Sequence, residues 1–142
     1  MKNSKHVILV SEDEPIVRGF VCKALERFGF IAIEASEGSK AFELYRVNAN
    51  IVDLVLTDVN CDLGGGIDGP KLIDAINIMN NALGRDPVAV IFMSGFVGSY
   101  RVQALEDVSK NPLIQKPVML SFLIESIHTA LAKRFTAIQT AV

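Results

Sequence analysis

The 142-residue chain has no tryptophan, two tyrosines and only two cysteines. Cys22, in a helical pattern, and Cys61, in a loop, cannot make a disulfide framework. No C-x-x-C and no Cys/His cluster is present to hold zinc. Both are expected as reduced thiols. No apolar run approaches the ~20 residues that span a bilayer. The apolar run behind the N-terminus is too short for a signal-peptide core and lacks a cleavage site. A cytoplasmic protein without membrane contact is therefore expected. There is no basic block and no acidic tail: 14 Lys and Arg are interspersed with 16 Asp and Glu, for a net charge of −2. Nucleic acid is not an expected partner. The two histidines, His6 and His128, have no partners among the motifs below and are not expected to be phosphorylated.

What is present is a core-forming composition, 50% hydrophobic and 21% charged, in a length that suits one domain. Strand-like and helix-like patterns alternate five times. Strands are expected at His6–Ser11, Ile31–Ala35, Asp53–Thr57, Val88–Met93 and Leu113–Gln115. Helices are expected at Glu14–Phe28, Ser39–Val47, Pro70–Leu83, Phe96–Val108 and Val118–Phe135, on apolar residues at helical spacing. In the first helix these are Ile16, Val17, Phe20, Val21, Ala24, Leu25 and Phe28. Gly29 is expected to end that helix and Pro70 to open the third. No linker or repeat interrupts the pattern. The expectation is one domain over residues 1–142, with its core at about 5–134 and 135–142 as a tail or helix extension. Alternating strands and helices imply a parallel sheet covered on both faces.

A parallel sheet gathers all strand C-termini on one edge, where ligands bind in open α/β folds. Asp58 ends the third strand, and a carboxylate at the tip of a buried strand is costly unless something uses it. Glu12 and Asp13 follow the first strand, Ser94 ends the fourth and Lys116 follows the fifth. Like-charged carboxylates about 5 Å apart repel by roughly 3 kcal/mol per pair at an effective dielectric near 20. A divalent cation relieves that cost, and carboxylates, a backbone carbonyl and waters suit Mg²⁺. The carbonyl is expected from the loop after Asp58, at Asn60. With a lysine opposite and a hydroxyl nearby, such a site suits phosphoryl transfer to a carboxylate nucleophile. A flavin or nucleotide site needs a phosphate-cradling loop after strand one. Here that loop is Ser11-Glu12-Asp13-Glu14-Pro15, whose acids repel phosphate.

Five segments in order, Ile8-Leu9-Val10-Ser11-Glu12-Asp13-Glu14-Pro15, Asp53-Leu54-Val55-Leu56-Thr57-Asp58, Asp68-Gly69, Met93-Ser94-Gly95 and Gln115-Lys116-Pro117, resemble the receiver domain of two-component response regulators. The resemblance covers roughly residues 5–134. It implies a flavodoxin-like, doubly wound five-stranded parallel sheet in the order 2-1-3-4-5, with five helices. It implies Asp58 as phosphoacceptor, Glu12 and Asp13 as the metal pair with Mg²⁺ (or Mn²⁺), and the Asn60 main-chain carbonyl as a further ligand. Ser94 is the hydroxyl that moves toward the phosphoryl group. Lys116 pairs with Asp58 or its phosphate, and the bond before Pro117 is cis. The phosphoryl donor is a sensor histidine kinase or a phosphotransfer protein. The chain is no ordinary enzyme, but catalyses its own phosphorylation and dephosphorylation and switches a face that binds a downstream protein. A non-phosphorylated receiver-like scaffold is the alternative.

The chain departs from that family pattern in four places. The acidic pair is Glu-Asp rather than Asp-Asp. The loop from Asp58 to Gly69 is long, holds Gly64-Gly65-Gly66 and carries Asp62 near the usual proline. Leu113 stands where an aromatic switch residue is usual, leaving Phe96 or Tyr100 as replacements. No output domain follows the last helix, and the Met1 start leads to the expectation of a single-domain regulator. The apolar stripe past Phe135 is expected to fray or to pack on a partner. A homodimer through that tail or through the face of helices four and five is one option.

Overall fold

The computed structural model describes residues 5–60, 66–95 and 111–140. Their order is β1 (Val7–Ser11), α1 (Pro15–Arg27), β2 (Ile31–Ala35), α2 (Gly38–Asn48), β3 (Val52–Asp58), α3 (Gly69–Ala82), β4 (Ala89–Ser94), β5 (Leu113–Gln115) and α4 (Leu120–Thr140). The expected helix at Phe96–Val108 lies outside the described residues, so the fifth helix of the sequence pattern is α4 here. Among described residues the sheet has five parallel strands in the order β2-β1-β3-β4-β5, as expected.

Both faces of the sheet are apolar, and the period of two sorts them. Ile8, Val10, Leu54, Leu56, Ile91 and Met93 face α1 and α4, where Val21, Leu25, Leu123 and Ile127 meet them. Val7, Leu9, Val55, Val90 and Phe92 face α2 and α3, against Ala41, Tyr45, Leu72 and Ile76. All five residues of β1 are buried, as expected of a strand flanked on both sides and covered on both faces. Inside the second layer Tyr45 and Asn80 satisfy each other's polar atoms at 2.9–3.2 Å, which ties α2 to α3.

Helix ends follow local chemistry. Pro15 lies in the first turn of α1, and Gly29 just past its end has φ +89°, a conformation that favours glycine. Asp68 precedes α3 and its Oδ1 accepts the Lys71 N–H at 3.0 Å. Several expectations need correction. Ile16, Phe20 and Phe28 fit the apolar spacing of α1 but are exposed, Ile16 at 87%. Their side chains point away from the stripe that packs on the sheet. The last helix begins at Leu120 rather than Val118 and runs to Thr140, so residues 135–140 continue the helix. Phe135 is exposed on it and Ile138 half-buried. Asp58 ends β3 and Ser94 ends β4, as expected.

Candidate functional site

Parallel pairing carries the chemistry-bearing residues to one edge. Ser11 is in register with Thr57, Asp58 with Met93 and Ser94 with Gln115. The residues that follow these strands meet in a pocket of about 270 Å³ lined by Asp13, Glu14, Asp58, Asn60, Gly95 and Lys116. Asp58 is 6% exposed. Its Oδ2 lies 3.0 Å from Lys116 Nζ, and its Oδ1 accepts the Asn60 N–H at 3.2 Å. Glu12 is fully buried, with Oε1 2.7 Å from the same Nζ. Carboxylate oxygens of Glu12, Asp13 and Asp58 lie within 4.8 Å of one another.

The expected set of Glu12, Asp13, Asp58, Asn60 and Lys116 is thus assembled. Ser94 is at the same edge, fully buried, and its carbonyl accepts the Lys116 N–H at 2.9 Å. The Lys116–Pro117 bond is cis, as the resemblance implied. Leu113 is the half-buried first residue of β5 and packs on the second core layer. Phe96, Tyr100, Cys61 and Asp62 lie outside the described residues.

Electrostatics follow from burial and neighbours. Burial pushes Glu12 up, to about 7, against the ion pair with Lys116 and the Glu14 N–H; Asp58 and Asp13 push it further up. Burial alone lowers Lys116, but its contacts with Glu12 and Asp58 outweigh that and hold it at about 12. One ammonium therefore serves both buried carboxylates. The donor set fits a hard divalent cation: three carboxylates, two of them buried, share a space one ion can bridge.

Two residues carry contacts that their place in the sequence did not announce. Arg18 Nη1 donates to the Glu12 main-chain carbonyl at 2.8 Å, and its Nε lies 3.4 Å from Glu34, fixing the β1–α1 loop from the side. Glu14, the residue just before α1, makes no side-chain cap. Its Oε1 instead lies 3.6 Å from Lys116 Nζ, while Glu12 Oε2 accepts the Glu14 N–H at 3.1 Å. Gly64–Gly69 has the spacing G-x-G-x-x-G of a dinucleotide loop. The α3 N-terminus behind it already has an anionic partner in the Asp68 carboxylate, which speaks against a phosphate there.

The model of the response regulator receiver domain family matches residues 8–128. The chain belongs to that family. The response regulator receiver protein CpdR of Brucella abortus is 30% identical over 129 residues, covering 87% of this chain and 95% of CpdR. A cyclic di-GMP phosphodiesterase of Thermotoga maritima is 30% identical over 128 residues, 89% of this chain. The crystal structure of the receiver domain from the hybrid histidine kinase CckA aligns with a TM-score of 0.67 at 26% identity, covering 88% of this chain and 98% of that one. The chain spans 31% of the phosphodiesterase's length and 13% of a Brucella abortus sensor kinase CckA. The shared part is the receiver of two-component signalling. Among described residues no helix is long and apolar enough to cross a membrane.

Proposed function

We propose that this receiver takes a phosphoryl group from a phosphohistidine onto Asp58. The donor is a sensor histidine kinase or a phosphotransfer protein. The observation that carries the reading is the placement of Asp58. It is a nearly buried carboxylate, 3.0 Å from a lysine ammonium, with two further carboxylates within reach of the same ion. An Asp58 oxygen forms the new O–P bond, the N–P bond of the donor breaks, and the imidazole leaves. Glu12, Asp13, Asp58 and the Asn60 carbonyl would hold Mg²⁺ (or Mn²⁺), which when bound would supply charge neutralisation for the transferring group. Lys116 holds Asp58 and then pairs with the phosphate. Ser94 offers a hydroxyl to the phosphoryl oxygens. The phosphate biases a two-state equilibrium of the chain that a downstream protein reads. The site sits on one domain acting in the cytoplasm.

Acetyl phosphate with Mg²⁺ tests this on the isolated chain. The expected result is a mass gain of one phosphoryl group in the wild type, lost with EDTA and lost in Asp58→Asn. A wild type that gains nothing favours the scaffold reading.

A further inference from the structure

Gly69 opens α3 beside the tip of β3. Its φ is not in the left-handed region, unlike that of Gly29 or Gly84, so space rather than conformation calls for glycine. A Cβ at this position would stand 2.4 Å from the Asp58 carbonyl oxygen and 3.1 Å from Val59 Cα. Both are backbone atoms and neither can swing aside as a side chain can. The Gly69 N–H donates to the Val59 carbonyl at 3.0 Å, and the Val59 N–H donates to the Met93 carbonyl at 2.9 Å. The tip of β3 is therefore held between the first residue of α3 and the end of β4. The Asp58 carboxylate leaves the chain from that tip.

We infer that Gly69 is a positioning residue for phosphoryl acceptance. Its missing side chain lets α3 press directly on the main chain of Asp58, which sets where the carboxylate stands against Lys116 and the acidic pair. Relieving a 2.4 Å overlap to the 3.4 Å of ordinary contact moves the strand tip or the helix by about 1 Å, a displacement that can cost ~10²-fold in rate at a reacting group. The inference rests on Asp58 as phosphoacceptor.

The test compares full-length wild type, Gly69→Ala and Leu25→Ala with acetyl phosphate and Mg²⁺, following intact mass. Leu25 is a buried core residue outside the acidic site, so its variant carries a loss of stability without touching β3's tip. All three are checked for fold by circular dichroism, in concentrated sucrose where a variant needs it. The expected result for Gly69→Ala is a tenfold to hundredfold slower rate at saturating acetyl phosphate. Its half-saturating donor concentration stays within about threefold of wild type. Leu25→Ala keeps the wild-type rate. Acceptance by Gly69→Ala at the wild-type rate overturns the inference, and so does an equal loss in Leu25→Ala. Failure of Gly69→Ala to fold even in sucrose also overturns it, because the glycine then serves the fold at large. A wild type that takes up no phosphoryl group removes the reading of Asp58, and this inference with it.

Discussion

Lys116 is the one ammonium among the described residues that reaches both buried carboxylates of the site, Glu12 and Asp58. Removing one partner of a buried ion pair costs more than the pair itself contributes, since the other charge stays behind without compensation. Lys116→Ala in EDTA is expected to lower unfolding free energy by about 3 kcal/mol, the low end for such a break because the lysine side chain keeps 14% exposure. Urea unfolding reads it; a change below about 0.5 kcal/mol, the scale of an exposed pair, would contradict the burial argument. Cys22 has the opposite character. Burial, with Glu34 and Glu26 adding, pushes its thiol up to about 12. The thiolate is the reactive form, so at pH 8 only about one molecule in 10⁴ presents it. Because the folded value lies above the unfolded one, the stability it contributes is present below about 9 and lost as pH rises toward 12. In a Cys61→Ser background, iodoacetamide should label native protein at pH 8 far more slowly than urea-unfolded protein. Equal rates would show an open thiol. Arg18 marks what residue types alone do not disclose. Its contact with the Glu12 carbonyl depends on how α1 lies over the β1–α1 loop, and no motif announces an arginine that binds main chain.

Element by element, the strands were the most legible part, because β1, β3 and β4 are short apolar runs buried on both faces, a pattern that suits a parallel strand. Among the described residues helix existence was equally plain, while the facing of helices was less so. Ile16 and Phe20 match the apolar period of α1 by residue type, but the stripe against the sheet is Val17, Val21, Cys22, Ala24 and Leu25. Helix ends depended on caps. Pro70 marked the start of α3 to within one residue, and the carboxylate that completes the cap belongs to Asp68. Asp68→Ala should cost about 1 kcal/mol through loss of the bond to the Lys71 N–H. Thermal unfolding by circular dichroism should show a lower Tm with the spectrum unchanged at low temperature; an unaltered Tm would mean the cap contributes nothing. The end of α4 was left open between a tail and a helix extension, for a different reason. Residues past Phe135 have little to pack against, yet Ala137 and Gln139 propagate a helix well, and Thr136 and Thr140 bond back to carbonyls one turn earlier.

At the scale of the whole molecule, the sheet order converts five separate sequence segments into one site. None of the five is specific alone, and the parallel topology that joins them was itself inferable from the alternation of strands and helices. That is why Asp58, Asp13, Glu12, Asn60 and Lys116 could be named before any geometry was known. The packing that aims them could not: the Gly69 contact and the Arg18 clamp are properties of close approach between elements distant in sequence. Sodium borohydride reduction tests the central claim most directly, since it converts an aspartyl phosphate to homoserine. After treatment with acetyl phosphate and Mg²⁺, reduction and proteolysis, peptide mass spectrometry should find homoserine at position 58 and at no other acidic residue. Homoserine at Asp13 or Asp53, or none anywhere in a protein that has gained a phosphoryl group, would contradict the account.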